Sequence, residues 1–213
     1  MRILITGADG FIGQNLRVRL KELGQHEVFT FTRRQSDDEL AELLNQADWV
    51  FHLAGINRPQ DPNEFKTGNS DLTEKLCLLI ANSGRLIPIV LSSSIQSNLE
   101  NDYGKSKLAA ETSLLNLNKQ TANPIFIYRL PNVFGKWSRP NYNSAVATFC
   151  HNIARDLPIT INNADAPINL VYIDDILDAW ITLLNSDLSN LNNYQQVIPE
   201  YTTTVGNIAT TIN

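Results

Sequence analysis

Two short stretches hold the residues whose types and spacing could do chemistry. In "NDYGKSKLAAE", residues 101–111, Tyr103 and Lys107 stand four apart, so on a helix a phenol and an ammonium share one face a single turn apart. Alone, that pattern also reads as a solvated helix start, with Asp102 as its cap and Lys107 paired to Glu111 along the surface. In "ILITGADGFIGQNL", Gly7, Gly10 and Gly13 follow an apolar run and open an amphipathic one. Glycines at that spacing let the chain turn tightly, let a pyrophosphate approach the backbone and let a helix pack closely on a strand. The free N–H groups at the helix start, around Phe11 and Ile12, would then face the phosphates. The stretch predicts a dinucleotide site.

The next strand bears on which dinucleotide. An NAD site usually offers a carboxylate to the ribose 2′-OH at this strand's end; here "FTFTRRQS" places Thr32 there, followed by Arg33 and Arg34. Two guanidiniums can clamp a 2′-phosphate, so NADPH is favoured over NAD, the alternative being a surface pair of arginines.

These residues need a scaffold, and the hydrophobic pattern supplies one. Short runs rich in Ile, Val and Leu alternate with segments of helical period, the signature of βαβ units around a parallel sheet. The pattern predicts strands at Ile3–Thr6, Val28–Thr32, Trp49–Leu53, Pro88–Ser92 and Ile125–Arg129. Helices are expected at Phe11–Leu23, Asp38–Asn45, Phe65–Asn82 and Tyr103–Asn118. The fold class is α/β: a doubly wound parallel sheet, the Rossmann fold, over residues 1–130, with a small C-terminal region over 131–213. After Arg129 the rhythm changes to a long loop, "LPNVFGKWSRPNYNS", then a helix at about Ala145–Arg155, a short strand, "NLVYIDD" and a helix to about Leu184. Loops of this length are usually functional, which makes this the expected substrate-facing region. The ending, "TTTVGNIATTIN", reads as a helix begun and not finished, as in a truncated chain.

Composition narrows the classes. With 213 residues, 43% hydrophobic and 18% charged, and a net charge of −5, the chain suits one soluble globular unit. No basic cluster beyond Arg33–Arg34 is available to grip nucleic acid, and the longest apolar runs are strand-sized, so neither nucleic acid nor membrane is an expected partner. Met1 leads directly into a buried-strand pattern without a signal peptide, which gives a cytoplasmic expectation. Cys77 and Cys150 read as packing residues, and His26, His52 and His151 fall at no metal-ligand spacing. No metal is expected.

Taken in order, Gly7-x-x-Gly10-x-x-Gly13, "HLAG" at 52–55, "LSSS" at 91–94, Tyr103-x-x-x-Lys107 and "RLPNVFG" at 129–135 resemble the extended short-chain dehydrogenase/reductase family, which holds nucleotide-sugar epimerases, dehydratases and reductases. More narrowly, "HLAGINRP", "LSSSIQ" and "FGKWSRPNYNSAVATFCHNIAR" are similar to the reductase domain of capsular-polysaccharide synthesis enzymes. Those use NADPH to reduce a UDP-2-acetamido-2,6-dideoxy-4-hexulose and carry a C-terminal cupin domain; no cupin sequence is present here.

The resemblance implies roles. Tyr103 is expected to give its proton to the developing alkoxide, with Ser94 holding the carbonyl oxygen and Lys107 binding the nicotinamide ribose. Lys107 is further expected to draw the phenol down from about 10 toward working pH, an interaction of about 3 to 4 kcal/mol. Leu53, Ala54, Gly55 and Ser92 should line the cofactor, Asn69 should support the site, and Pro131 should touch the nicotinamide. Asn132, Lys136, Arg139 and Asn143 are candidate UDP contacts. Asp174 and Asp175 are expected to serve a helix start and not catalysis. A homodimer is implied through the helices at 65–82 and 103–118, although Leu72, Leu76, Leu79, Leu114 and Leu117 also fit ordinary core stripes. Two alternatives to the reductase stay open: an epimerase or dehydratase with tightly held NAD(P), and a non-catalytic NADP sensor.

Overall fold

The computed structural model describes residues 1–59, 61 and 63–213. In chain order the elements are β1 (Arg2–Thr6), α1 (Phe11–Leu23), β2 (Glu27–Phe31), α2 (Asp37–Gln46), β3 (Trp49–His52), α3 (Asn63–Phe65), a π-helical turn (Lys66–Asp71), α4 (Leu72–Ser83), β4 (Ile89–Ser94), a 3-10 turn (Ile95–Asn98) and α5 (Asp102–Thr121). They continue with β5 (Ile125–Leu130), β6 (Asn132–Phe134), α6 (Ala145–Ile153), β7 (Pro167–Tyr172), α7 (Ile173–Leu184), β8 (Tyr194–Gln195), β9 (Tyr201–Thr204) and α8 (Val205–Ile212). Two units divide the chain: residues 1–129 with 187–196, and residues 130–186 with 197–213.

The first unit is built on a six-stranded sheet in the order β2-β1-β3-β4-β5-β8. Its β1–β2, β1–β3, β3–β4 and β5–β8 pairings are parallel. Both sheet faces are buried, which is why the strands read as unbroken apolar runs. On one face Leu4, Val50, Ile89, Leu91 and Ile127 pack with Leu40 and Leu44 of α2, Leu76 and Ile80 of α4, and Leu114 and Leu117 of α5. Side chains alternate along a strand, so Ile3 and Ile5, both fully buried, belong to the opposite face. The chain leaves β1 to one side for β2 and returns to its other side for β3, so the sheet's switch point lies beside β1, where folds of this kind bind ligands.

The second unit has a three-stranded sheet, β6-β7-β9, with β6–β7 parallel and β7–β9 antiparallel. Phe149, Leu170, Ile208 and Ala209 form its small core, with Phe134, Ile159 and Ile168 packed against them.

Several expectations are corrected. Leu76, Leu114 and Leu117 are core residues, with Leu72 and Leu79 packed on the same core; the leucines these helices expose are Leu78 and Leu108. Cys77 is buried, but Cys150, expected as a packing residue, is exposed. The cap of α5 is Asn101 and not Asp102: the Asn101 side chain accepts the Gly104 N–H at 2.7 Å. Among the described residues no helix is long and apolar enough to cross a membrane, and no cluster of His, Cys, Asp and Glu could hold a metal.

Candidate active site

The glycine turn and α1 form the first wall. Gly7 takes a left-handed backbone (φ +68°), and a Cβ there would sit 2.6 Å from the Ala54 nitrogen, so only glycine lets the β1 and β3 ends approach. A Cβ on Gly13 would lie 2.8 Å from Ala8 Cα, and this closeness seats α1 against the loop. The helix starts at Gly10 with no side-chain cap and no acid in its first turn. Its first amides, at Phe11 and Ile12, are therefore left for an external anion.

These glycines border a cleft of about 770 Å³ lined by Gly7, Gly10, Thr32, Arg33, Arg34 and the Leu53–Ile56 segment, among others. Arg33 and Arg34 are exposed at its edge, on a turn held by Gln35. The Gln35 side chain accepts the Thr32 N–H at 2.8 Å and donates to the Thr30 carbonyl at 3.2 Å. The cradle, the uncapped helix start and the two cations together fit a dinucleotide phosphate chain.

The chemistry-bearing residues gather on β4 and α5. Strand β4 runs two residues beyond its predicted end, so Ser92, Ser93 and Ser94 are all buried strand residues. Alternation sends Ser93 away from its neighbours, and its hydroxyl donates to the buried Glu111 carboxylate. Arg129 grips Glu111 through Nε and Nη2, the latter at 2.6 Å, and the Tyr194 hydroxyl donates at 3.1 Å. Burial pushes the Glu111 carboxyl up, but Arg129, Ser93 and Tyr194 more than offset this and hold it below its usual range.

Lys107 is 5% exposed, and its ammonium donates to the Ser92 carbonyl at 2.8 Å. Burial draws it down to about 8 against the opposing pull of the Glu111 charge. The surface Lys107–Glu111 pair therefore gives way to two buried side chains with separate partners. A Cβ on Gly55 would lie 3.4 Å from Lys107 Nζ and 3.0 Å from Asn69 Oδ1, which sets the ammonium directly behind the cleft lining. Tyr103 is half-buried, hydrogen-bonded to Ser94 and tilted against the Phe65 ring at 5.7 Å. The expected lowering of its phenol by Lys107 is corrected: burial raises it, and the opposing influence is the Ser94 hydroxyl. One of the three N–H donors of the Lys107 ammonium goes to the Ser92 carbonyl.

Asn69 sits in the π-helical turn, a local widening that the sequence pattern did not reveal. Its side chain accepts the Ile56 N–H at 2.7 Å and donates to the Ile56 carbonyl at 3.0 Å and to Ser106 Oγ at 2.9 Å. The clamp fixes the irregular segment after β3. Sequence reasoning assigned no role to Thr6, His52, Thr73 or Gln35; "HLAG" offered a signal for His52 alone.

The remaining candidates belong to the second unit. Pro131 is half-buried, and Asn132 donates to the Asn169 carbonyl at 3.2 Å. Lys136 pairs with Asp174 at 3.1 Å, in the first turn of α7, so its charge is partly compensated. Arg139 stacks over the Tyr142 ring at 5.3 Å, and Asn143 is exposed.

Comparison with known proteins follows the same lines. Over 209 residues the chain is 54% identical to the UDP-2-acetamido-2,6-beta-L-arabino-hexul-4-ose reductase of Pseudomonas aeruginosa, covering 98% of this chain and 56% of that protein. The capsular polysaccharide assembling protein CapF of Staphylococcus aureus superposes with a TM-score of 0.88 at 38% identity, over all of this chain and 57% of that one. The chain thus spans a little over half the length of these relatives. A UDP-glucuronic acid 4-epimerase from Bacillus cereus, solved with UDP-glucuronic acid and NAD, shares the fold with a TM-score of 0.88 at 21% identity, over all of this chain and 82% of that one. Residues 3–195 match the model of the NAD dependent epimerase/dehydratase family, and the chain belongs to that family.

Proposed function

We propose that this protein uses NADPH to reduce the C4 ketone of a UDP-2-acetamido-2,6-dideoxy-hexulose, in synthesis of a capsule or surface-polysaccharide precursor. The observation that carries this reading is the hydrogen bond between Tyr103 and Ser94, together with the Lys107 ammonium set behind Gly55 of the cleft lining. The activity of the 54% identical Pseudomonas aeruginosa relative, a reductase of a UDP-linked 4-keto sugar, supports the substrate class.

When bound, the nicotinamide supplies the hydride. Tyr103 donates its phenolic proton to the ketone oxygen as negative charge builds there, and burial keeps that proton in place at neutral pH. Ser94 holds the same oxygen, and the Lys107 ammonium stabilises the phenolate until a proton returns from solvent. Arg33 and Arg34 favour NADPH by pairing with its 2′-phosphate. Pro131 is proposed beside the nicotinamide, and Asn132, Lys136, Arg139 and Asn143 as UDP contacts. A homodimer through α4 and α5 completes the reading, with Leu78 (61% exposed) and Leu108 (44%) as its apolar contacts.

The test is an assay of the purified chain with NADPH and the UDP-linked 4-keto sugar. One NADPH is expected to be consumed per 4-hydroxy product, with NADH about tenfold poorer until Arg33 and Arg34 are replaced by Ala. Isomerisation of the sugar without net NADPH loss, or no reaction, would overturn the proposal.

A further inference from the structure

A chain of buried hydrogen bonds runs behind the cofactor cleft, and its donors and acceptors can be assigned by elimination. Thr73 Oγ1 gives its hydrogen to the Asn69 carbonyl at 2.7 Å, so toward His52 Nε2, 2.9 Å away, it can only accept. Nε2 therefore carries the imidazole hydrogen. Nδ1 is then an acceptor and takes the Thr6 hydroxyl hydrogen at 2.7 Å, while Thr6 Oγ1 accepts the Ala54 N–H at 3.2 Å. At the other end the Asn69 side chain holds Ile56 and Ser106, and Ser106 Oγ donates to the Tyr103 carbonyl at 2.8 Å.

His52 is the middle link of this chain and is 1% exposed. Burial, together with the Lys107 charge that faces it from α5, draws it down to about 3, so it is neutral wherever the protein is folded at ordinary pH. One arm of the chain ends on Ala54 and the other, through Asn69, on Ile56, so the same network holds the cleft lining from two sides.

We propose that His52 is a positioning residue that couples the cofactor cleft to the helix presenting Tyr103. Its Nδ1 arm fixes the Ala54 amide beside the glycine turn, and its Nε2 arm fixes Asn69 and, through Ser106, the first turn of α5. The imidazole is suited to this because one rigid ring accepts at one end and donates at the other.

The two arms can be cut separately. His52→Asn places an amide oxygen near Nδ1 and keeps the Thr6 arm; His52→Gln reaches Nε2 with its NH₂ and keeps the Thr73 arm. His52→Gln is expected to weaken NADPH binding about tenfold by titration of intrinsic fluorescence, with His52→Asn changed less than about threefold. Conversely, His52→Asn is expected to lower kcat about tenfold at nearly unchanged KM for NADPH. Equal losses in both variants, or none, would overturn the coupling. Nitrogen-15 NMR of the wild-type imidazole tests the assignment without any variant: a protonated Nε2 and bare Nδ1, unchanged from pH 5 to 9, is expected, and a protonated Nδ1 would overturn it. The kcat comparison rests on the reductase reading, whereas the NADPH titration and the NMR do not. A wild type that turns over no keto sugar would defeat that reading alone.

Discussion

Lys107 shows how one side chain sets two properties at once. Its ammonium is held away from water by the β4 backbone and the lining glycine, and it releases its proton at about 8 in the folded chain but at about 10.5 in an unfolded one. Between those values the unfolded state binds more protons, so stability from this group rises with pH there. The destabilisation from the buried charge is complete below pH 8 and is relieved by pH 10.5, a swing of about 3 kcal/mol. Lys107→Met should therefore be at least as stable as wild type at neutral pH, and this advantage should fade in urea melts taken toward pH 10. Taking the difference matters because Cys77 and Tyr128, both pushed up to about 12 by burial, weaken the fold at alkaline pH in both proteins. A constant gap would mean that Lys107 keeps its ordinary proton affinity. Tyr103 separates binding from chemistry: Tyr103→Phe keeps the ring against Phe65 and removes the hydroxyl that carries the proton. Its turnover should fall by about 10²- to 10⁴-fold with NADPH affinity unchanged, and retained turnover would assign the proton to another donor.

At the scale of elements, the start of α5 is placed by a glycine. A Cβ on Gly104 would lie 2.6 Å from the Leu99 carbonyl and also press on that of Gln96, so the 3-10 turn after Ser94 packs directly on the helix beside Tyr103. Ala in a helix normally stabilises relative to Gly, by about 0.5–1 kcal/mol. Here the opposing contacts are backbone and cannot swing aside. Gly104→Ala should therefore destabilise by about 1–3 kcal/mol in denaturant melts and lower turnover together with it; a gain in stability would show that the turn can retreat. The same elements show what the sequence made legible. Strands were visible because a sheet buried on both faces leaves runs such as Ile3–Ile5, and α1 because its glycines and apolar period coincide. The π-helical turn at Lys66–Asp71 was not: Asn69 within it bonds to Ile56, thirteen residues back, and helical periodicity carries no trace of that contact. The partners of Glu111 were hidden for a related reason. Local spacing pairs it with Lys107, but Arg129 and Tyr194, distant in sequence, claim it in the fold.

On the scale of the molecule, the homodimer proposed through α4 and α5 would bury the exposed Leu78 and Leu108. Leu78→Glu should halve the mass seen by sedimentation if these helices form the dimer, and an unchanged mass would move the interface elsewhere. The path of the chain carries a second consequence. The first unit is completed by residues 187–196, which arrive only after most of the second unit has been built. Their contribution is specific: Asn193 accepts the Ile127 N–H at 2.7 Å and donates to the Ile125 carbonyl at 3.2 Å, adding β8 to the edge of β5. Tyr194 then supplies the Glu111 hydrogen bond and an aromatic face 4.7 Å from the Arg129 guanidinium. Without them the first unit has an unpaired strand edge, and the ion pair behind Lys107 is opened to water. A chain ending at Ser186 should therefore melt about 10 °C below one ending at Gln196 and bind NADPH more weakly, although neither end lies among the residues lining the cleft. Equal melting and equal NADPH affinity in the two truncations would mean that residues 1–129 hold the glycine turn, Arg33 and Arg34 in place by themselves.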